Sequence, residues 1–477
     1  MGKAFYLTTT LPYVNADPHI GFALEIVHAD IIARYKKLTG HEVFFNTGTD
    51  EHGMKIYRKA QEEKKDPQAY VDEYAAKFRN LKEKLNLDPE LHFIRTTDAN
   101  HKAAAQELWR RCLAKGDIYK KKYKGLYCVG DELFLKDGDL VAGKCPNHPN
   151  MDPVEIEEEN YFFRLSTYQD KLLVYLSRED AILPGWRRDE AINFVKGGLE
   201  DFSISREKAR MPWGVAVPDD DAQVMYVWFD ALTNYISTLG WPNEGGDFKK
   251  FWAEGEVVQM AGKDQVRFQS IMWQAMLMSA GIKNTDRVVY HGFITSGGQK
   301  MSKSLGNVIN PYDIVEEYGT DAMRYFLARH IHPFEDSDFT MERFRETYNA
   351  DLANGLGNLA ARILMLAETH LSQPVQVPDV EGTLPGEYTQ YLDRYDFNRY
   401  ADALWQEIQL TDKKIHDTEP FRVVKSDSEK GKSLIAELVV QLYLIAHSLA
   451  PLLPATSEAI IEAIRANKKP ENLFPRK

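Results

Sequence analysis

The spacing of apolar residues near the start of the chain predicts a strand, a helix and a second strand. Residues 5–10 are β-branched and aromatic, and the segment 15–18 breaks that run. From Gly21, apolar residues recur at helical spacing: Ile26, Val27, Ile31, Ile32 and Tyr35. Gly40 ends the helix, and residues 42–45 return as a strand. This order predicts a βαβ unit, whose parallel strands are buried under helices.

The same alternation returns later in the chain, which predicts a second half of the same sheet. Residues 257–260 and 288–290 are strand-like, and residues 266–279 are helical. The segment 116–221 between the halves is rich in Gly, Pro and charge, whereas the chain after about residue 339 is helical throughout. We therefore expect an α/β fold, a Rossmann-type doubly wound parallel sheet split by an insertion and followed by an all-helical domain. The expected boundaries are 1–117 and 222–338 for the halves of the sheet, 118–221 for the connective insertion and 339–477 for the helical domain.

The composition is that of a soluble globular protein. Of the 477 residues, 44% are hydrophobic and 27% are charged. No apolar run approaches the roughly 20 residues of a membrane span, and the N-terminus lacks the features of a secretory signal. Three cysteines are too few for a disulfide framework. We expect a cytoplasmic protein that does not enter a membrane.

The formal net charge of −12 argues against a nonspecific nucleic-acid coat. A protein of negative net charge can still bind a large nucleic acid through local basic patches. Two clusters are candidates: Lys120, Lys121, Lys122 and Lys124, and then Lys413, Lys414, Arg422 and Lys425. A solvated surface run explains either cluster alone more simply.

Two short motifs carry the chemistry, and the first lies where the first strand turns into its helix. A helix N-terminus offers unpaired N–H groups and the positive end of the helix dipole, which suit a phosphate. Gly21 permits close approach of a nucleotide, and His19 can donate to phosphate oxygens. Alone, such a turn also arises by chance.

The second motif is Lys300-Met301-Ser302-Lys303-Ser304, preceded by Ser296-Gly297-Gly298-Gln299. Two lysines three positions apart on a glycine-bounded loop suit a triphosphate whose charge moves during a reaction. An ordinary basic surface loop is the alternative.

Together the motifs resemble the HIGH and KMSKS signatures of class I aminoacyl-tRNA synthetases. The resemblance implies catalytic roles for His19, Lys300 and Lys303. Phe22 stands where the family usually has its second histidine, which removes one expected phosphate donor.

The surrounding residues resemble those of methionyl-tRNA synthetases in particular, over about residues 5–443. The resemblance implies an ATP site that contains His19, Gly21, Gly262, Asp264, His291 and Lys303. It implies a methionine site that contains Leu11, Tyr13, Asp50, Trp228, Tyr235, Gln269 and Trp273. Asp50 would hold the substrate ammonium, and the aromatic rings suit a polarizable thioether. Trp228 and Trp273 could instead be core aromatics, and Gln269 stands where the family often has histidine.

The insertion carries a degenerate metal-ligand pattern, Cys128, Asp131, Cys145 and His148. Many methionyl enzymes have a zinc knuckle here, and a Cys, Asp, Cys, His tetrahedron is chemically feasible. A decayed knuckle held by packing alone is an equal alternative.

The helical domain resembles the family's anticodon-binding bundle. The resemblance implies that Asn358, Arg362 and Phe421 contact the anticodon. The alternative is that Asn358 and Arg362 pair within the bundle and that Phe421 belongs to its core.

The resemblance implies a methionine–tRNA ligase that uses ATP with Mg²⁺ and charges initiator and elongator tRNA(Met) with L-methionine. A leucyl, valyl or isoleucyl enzyme would need a larger insertion, and a cysteinyl enzyme would need a zinc beside the adenylate. A non-catalytic tRNA-binding paralogue is favoured mildly by Phe22 and Gln269 and disfavoured by the intact lysine motif. The chain ends soon after the helical segment, so we expect a monomer.

Overall fold

The computed structural model describes residues 2–129, 133–135, 137–146, 148–301, 307–380 and 382–477. Its strands are β1 (Ala4–Thr8), β2 (Glu42–Thr49), β3 (His92–Arg95), β4 (Ile118–Cys128), β5 (Leu133–Leu135), β6 (Val154–Phe163), β7 (Ile182–Leu183), β8 (Phe202–Ser203), β9 (Ser205–Glu207), β10 (Ala216–Val217), β11 (Asp220–Met225), β12 (Glu256–Gly262), β13 (Arg287–His291), β14 (Ile294–Ser296), β15 (Gln299–Lys300) and β16 (Ser337–Phe339). Its helices are α1 (Ile20–Leu38), α2 (Met54–Glu62), α3 (Pro67–Lys84), α4 (Ala99–Ala114), α5 (Gln169–Leu176), α6 (Gly185–Lys196), α7 (Val227–Leu232), α8 (Asn234–Ser237), α9 (Trp273–Ala280), α10 (Pro311–Tyr318), α11 (Thr320–Arg329), α12 (Met341–Thr347), α13 (Asn358–His370), α14 (Gly386–Asp393), α15 (Phe397–Thr418), α16 (Pro420–Ser426), α17 (Ser428–Leu449) and α18 (Pro454–Ala466). Short 3₁₀ turns cover Asp137–Asp139, Leu165–Tyr168 and Lys263–Gln265, and π-helical turns cover Phe248–Ala253, Phe268–Met272 and Tyr348–Gly357.

The central sheet has the strand order β3-β2-β1-β12-β13-β7, and every neighbouring pair in it is parallel. The two central strands, β1 and β12, come from the two halves of the chain, and strands on either side continue outward from them. In a doubly wound sheet, the crevice where the strand order changes direction lies beyond the carboxyl ends of such central strands. The predicted Rossmann-type parallel sheet in two halves, followed by a helical region, is confirmed.

One edge of this sheet comes from within the segment predicted as an insertion. β7 pairs with β13 through Ile182 and Leu183, although the range 118–221 was expected to lie apart from the sheet. Ala181 and Ile182 are fully buried in the core beneath it. A strand of two residues carries no periodic signal, so the boundary of the insertion could not be located from the pattern.

The helical region continues the core of the catalytic half without interruption. Arg324 of α11 is fully buried, and its Nη2 lies 2.8 Å from Oδ2 of the buried Asp30 in α1. The same guanidinium donates to the carbonyl oxygens of Pro451 and Leu452 in the turn before α18. Because breaking a buried, hydrogen-bonded ion pair leaves an uncompensated charge, this contact ties α1 firmly to the helical region.

Beside it, the buried His28 of α1 predicts an acid-sensitive contact. Its Nε2 lies 3.0 Å from the carbonyl oxygen of Leu327, and its ring stacks on Phe397 at 4.2 Å between centroids. Its Nδ1 has no hydrogen-bond partner in the described part of the chain. Burial, opposed by the Leu327 hydrogen bond and assisted by the charge of His291, lowers the pKa of His28 to about 3.

We therefore expect the free energy of unfolding to fall as the pH is lowered from about 6.5 towards 3. In that pH range His28 is protonated in the unfolded state but not in the folded state. The free energy of unfolding therefore falls by about 1.4 kcal/mol for each pH unit. His28→Gln keeps a donor for Leu327 but does not titrate. Its unfolding free energy, measured by urea titration between pH 6.5 and 5, should depend on pH less steeply than that of the unmodified chain. Equal slopes would contradict this interpretation.

Several of the residues predicted as basic patches have acidic partners. The insertion forms a sheet of order β5-β4-β6-β8, in which β4 and β6 pair antiparallel over their length. Lys124 Nζ lies 3.0 Å from Glu155 Oε1 on β6, and Lys120 Nζ lies 2.9 Å from Asp220 Oδ2. Lys414 in the helical region pairs with a glutamate of α17. These contacts favour the interpretation of the two basic clusters as solvated surface whose positive charge is partly neutralised by acidic side chains.

Among the described residues, one helix, α17, is long and apolar enough by length and hydropathy alone to cross a membrane. The expectation that no segment approaches this length is corrected accordingly. In the fold, α17 packs against α13, α15, α16 and α18 and buries Ile435, Leu438, Leu442, Ala446 and Leu449 among them. Its apolar residues thus form the core of the helical bundle.

Candidate functional site

A cavity of about 560 Å³ opens at the carboxyl ends of β1, β2, β12 and β13. This is the position that the strand order indicates for a ligand. The predicted site residues that line it are Leu11, Tyr13, His19, Gly21, Asp50, Trp228, Tyr235, Gly262, Asp264 and His291. Residues far apart in the sequence therefore meet in a single cavity.

The first motif forms the N-terminal cap of α1. His19 Nδ1 accepts a hydrogen bond of 3.1 Å from the Gly21 N–H. The ring is exposed to the cavity, and partial desolvation by the cavity walls lowers the pKa of His19. In the resulting neutral ring, Nε2 carries the proton and can donate to a ligand. A Cβ on residue 21 would lie 2.9 Å from His19 Cε1, so only glycine leaves room for this ring position. Phe22 packs edge-on against Phe78 and gives this wall of the cavity an apolar surface.

One turn further along α1, Glu25 forms a buried pair with His291 of β13. Glu25 Oε2 lies 2.8 Å from His291 Nε2, and His291 Nδ1 lies 2.7 Å from the carbonyl oxygen of Gly292. Glu25 Oε1 also accepts the N–H of Thr10 at 2.7 Å. Burial alone would lower the pKa of His291, but its hydrogen bond with Glu25 and that carboxylate's charge raise it above the ordinary value. The imidazolium form satisfies both acceptors and fixes β13 to α1.

Two glycines of this region allow close contacts, Gly292 with the backbone of Glu335 and Gly262 with the side chain of Asp264. A Cβ on Gly292 would lie 2.2 Å from the carbonyl carbon of Glu335, and one on Gly262 would lie 2.7 Å from Asp264 Oδ1. Lys263 Nζ forms an ion pair of 2.6 Å with Asp336 across the same rim. The turn after β12 is thus held against the segment before β16, with Gly262 and Asp264 facing the cavity.

Asp50 stands at the end of β2 on the other side of the cavity. Its N–H donates to the carbonyl of Pro12 at 3.0 Å, and its carbonyl accepts from Val14 at 3.2 Å. Tyr13 and Asp50 therefore form a parallel bridge that places both side chains at one position along the cavity wall. Asp50 is 5% exposed, so its carboxylate sits in a largely desolvated position.

The aromatic block predicted for the methionine site is divided between the wall and the layer behind it. Trp228 lines the cavity and stacks on Phe268 at 3.9 Å between ring centroids. Tyr235 also lines it, and its hydroxyl accepts from Gln269 Nε2 at 2.7 Å. Gln269 and Trp273 are fully buried and do not line the cavity, so direct contact with a ligand is not supported for either. The π-helical turn Phe268–Met272 directs them inward, where they pack behind Tyr235.

The second motif follows a tight hairpin formed by β14 and β15. Gly297 and Gly298 both have positive φ, as its turn requires, and Asp338 Oδ1 accepts the Gly298 N–H at 2.8 Å. Lys300 ends β15, and Met301 reaches the cavity wall. Lys303 lies outside the described residues.

Sequence reasoning missed a buried network beneath the cavity, centred on Asp230. Its two carboxylate oxygens lie 2.6 Å from His52 Nδ1 and 2.7 Å from His101 Nε2. Burial would raise the pKa of Asp230, but the two histidines lower it to about 2. An acidic residue within the apolar block 227–232 was the available signal, although its partners are far apart in sequence.

Three of the four predicted metal ligands come together in the insertion. The ligand atoms of Cys128, Cys145 and His148 lie within 4.8 Å of one another, and Cys128 Sγ is 3.7 Å from His148 Nδ1. Ligands on one tetrahedral zinc are separated by about 3.6 Å, so this group fits the ion. Both thiols are buried in a small apolar cluster with Leu135. Asp131, the fourth predicted ligand, lies outside the described residues.

The predicted anticodon residues lie on the helical bundle. Asn358 begins α13 and is exposed, whereas Arg362 on the same face pairs with Asp412 of α15. Phe421 is 38% exposed and carries the guanidinium of Arg422 over its ring. Phe421 is therefore not a core residue, but Arg362 does pair within the bundle, as the alternative interpretation expected.

Comparison with known proteins identifies the family. Residues 5–153 and 150–364 match the model described as tRNA synthetases class I (M). The chain is 38% identical to a methionine–tRNA ligase of Fusobacterium nucleatum over 99% of this chain and 76% of that protein. It is 40% identical to a methionine–tRNA ligase of Thermotoga maritima over 98% of this chain and 76% of that protein.

A solved structure agrees with these matches. The Mycobacterium tuberculosis methionyl-tRNA synthetase in complex with methionyl-adenylate superimposes with a TM-score of 0.89 at 37% identity, covering 96% of this chain and 93% of that chain. The chain therefore belongs to the methionine–tRNA ligases, within the class I tRNA synthetases.

Proposed function

We propose that the cavity at the end of the central sheet activates L-methionine with ATP and transfers it to tRNA(Met). The methionine carboxylate attacks the α-phosphate, diphosphate leaves, and the adenylate then acylates the terminal ribose of the tRNA. The observation that carries this proposal is the convergence of His19 and Gly21 with Asp50, Trp228 and Tyr235 in one cavity.

At the ATP end, catalysis consists of positioning and charge stabilisation. His19 Nε2–H binds phosphate oxygens beside the positive end of the α1 dipole, because the N–H groups of Ile20 and Gly21 already donate to Ile309 and His19. Lys300 and Lys303 stabilise the negative charge that develops on the leaving diphosphate. Mg²⁺ would be bound together with ATP. Gly262 and Asp264 hold the nucleoside, whereas His291 positions α1 against β13 through Glu25.

At the methionine end, Asp50 holds the ammonium group by a charge-assisted hydrogen bond. Tyr13, Leu11 and Trp228 enclose the substrate, and the hydroxyl of Tyr235, which Gln269 orients, faces the thioether. Trp273 supports Tyr235 from behind.

Aminoacylation of tRNA(Met) tests this proposal. Purified protein with ATP, Mg²⁺ and labelled methionine should form acid-precipitable, base-labile methionyl-tRNA. Omission of ATP should abolish the product. Failure to charge either initiator or elongator tRNA(Met) would contradict the proposal.

The insertion is proposed to hold one structural zinc. Cys128, Cys145 and His148 would supply three ligands, with Asp131 as the fourth. The ion would cross-link a segment whose apolar cluster has only three buried members among the described residues.

We expect the purified protein to contain about one equivalent of zinc. Cys145→Ala should lose it and lower the midpoint of thermal unfolding of the insertion, because metal binding contributes folding free energy. Cys112→Ala, which removes a thiol remote from the knuckle, is the control for elemental analysis and should retain the metal. Absence of metal from protein purified without a chelator would favour a knuckle held by packing alone.

The helical region is proposed to bind the anticodon. Asn358 and Arg362 share one face of α13 and can reach base edges together, and the exposed ring of Phe421 offers a stacking surface. Binding of the tRNA would require Arg362 to exchange Asp412 for a base or phosphate.

Phe421→Ala and Arg362→Ala should raise the KM for tRNA in aminoacylation while leaving methionine-dependent pyrophosphate exchange unchanged. Loss of one stacked base corresponds to roughly a 5- to 150-fold loss of affinity. Leu410→Ala removes a comparably exposed apolar side chain from α15 and serves as the control. A parallel loss of both activities and of thermal stability would instead show a structural role. Unchanged aminoacylation at low tRNA concentration would exclude this anticodon site.

We further propose that the protein acts in the cytoplasm, as expected for a ligase that serves translation. We also propose that it is a monomer. Sedimentation at micromolar concentration should give the mass of one chain.

A further inference from the structure

Helix α6 lies along the rim of the cavity. Its first turn brings Trp186 edge-on to Phe334 at 6.3 Å between ring centroids. Phe334 directly precedes Glu335, which is in backbone contact with Gly292 of the cavity wall. The last turn of α6 carries Phe194, which faces Arg267 just beyond the turn that contains Asp264. The helix therefore connects two parts of the same rim.

The outward side chains of this rim form an aromatic–guanidinium surface, consisting of Trp186, Phe194 and Arg267. Trp186 is 49% exposed and Phe194 is 38% exposed, unusually high fractions for such rings. The Arg267 guanidinium lies 4.5 Å from the centre of the Phe194 ring. Within the described ranges, no acidic group pairs with Arg267, in contrast to the lysines of β4. The surface thus combines exposed π-faces with an uncompensated positive charge.

This surface is continuous with the interior of the cavity. Phe268 follows Arg267 and stacks almost parallel on Trp228, with an interplanar angle of 15°. Trp228 in turn lines the cavity. The stacked pair Phe268 and Trp228 therefore lies between Arg267 on the outer rim and the cavity.

We propose that the aromatic–guanidinium surface binds the single-stranded 3′ end of tRNA and guides its terminal ribose into the cavity. This inference rests on the proposed function, which requires an unpaired polynucleotide end to reach the adenylate. Sequence-tolerant binding of single strands uses aromatic rings for base stacking and cationic groups for the phosphates. A guanidinium without an acidic partner over one exposed ring, with a second exposed ring on the same helix, matches that chemistry. An apolar peptide would leave Arg267 unpaired.

The test compares Trp186→Ala and Arg267→Ala with the unmodified protein on two RNAs. One is intact tRNA(Met), and the other is the same tRNA lacking its single-stranded 3′ nucleotides. Dissociation constants are measured by fluorescence anisotropy at fixed salt concentration, and methionine-dependent pyrophosphate exchange, which needs no tRNA, is measured in parallel. Val174→Ala is the matched control because it removes an exposed apolar side chain from the neighbouring helix α5.

Each variant should bind intact tRNA at least about 5-fold more weakly, as expected for one lost stacking or phosphate contact. Each should bind the shortened tRNA as tightly as the unmodified protein does, with unchanged exchange. Equal affinity of all proteins for intact tRNA would overturn the inference, as would a loss that persists with the shortened tRNA. Absence of methionine-dependent exchange in the unmodified protein would instead overturn the proposed function itself.

Discussion

Lys303→Ala is expected to lower the rate of methionine-dependent pyrophosphate exchange by about 10²-fold or more. The lysine belongs to the motif Lys300 to Ser304 and acts on charge that develops as diphosphate leaves. An interaction made mainly in the transition state lowers kcat more than it raises KM. Methionine binding, measured by calorimetry without ATP, should therefore stay close to that of the unmodified protein.

Lys115→Ala provides the matched control, because that lysine is exposed at the end of α4 and remote from the motif. It should exchange at the unmodified rate. Normal exchange by Lys303→Ala would exclude the proposed role of the second motif. If Lys303→Ala also lost methionine binding, the loop that contains Lys303 would instead be needed for the structure of the methionine pocket.

Asp50→Asn is expected to raise the KM for methionine by about 10- to 100-fold in the same assay. The substitution preserves the shape of the side chain but removes the negative charge from a site that is 5% exposed. A hydrogen bond to a charged group contributes about 1.5–3 kcal/mol, and the desolvated position keeps water from replacing it.

The KM for ATP should change little in Asp50→Asn, because Asp50 follows β2 whereas His19 caps α1, and the proposal assigns them to different parts of the substrates. An equal rise in both constants would indicate a distorted cavity rather than a lost ammonium contact. An unchanged methionine KM would require another anion to hold the amino group.

The repeated apolar pattern made the central sheet predictable. Residues 5–10, 42–45 and 257–260 are strand-like runs bounded by turn residues, and helical spacing between the first two identifies α1. The two-residue strand β7 escaped prediction because hydrogen bonding to β13, not a local pattern, makes it a strand. Regular elements are encoded locally, whereas short edge strands depend on the rest of the fold.

The site residues were predictable where they lie at turns between a strand and the following helix. Gly21, Gly262 and His19 occupy strand-to-helix turns, and turns at the carboxyl ends of neighbouring parallel strands must meet. Gln269, in a π-helical turn, and Trp273, at the start of α9, are buried behind Tyr235, so their predicted contact with methionine stays a prediction. Which face of such a turn points into a cavity depends on the packing of its neighbours.

Charge compensation was the other feature that the sequence did not reveal. Lys120 and Lys124 form a basic run along the chain, yet their acidic partners come from β6 and β11 through tertiary pairing. The network around Asp230 likewise joins residues from the segment after β2, from α4 and from α7. Interactions across the sheet set both the surface charge and the support beneath the cavity.

The most direct test of the central claim is ATP–pyrophosphate exchange measured with methionine, leucine, isoleucine, valine and cysteine in turn. We expect rapid exchange with methionine and, with each of the other four amino acids, exchange slower by at least about 10-fold at equal concentration. Exchange that responds to leucine or cysteine but not to methionine would contradict the assignment of the cavity, and absence of exchange with all five would contradict catalysis by this chain.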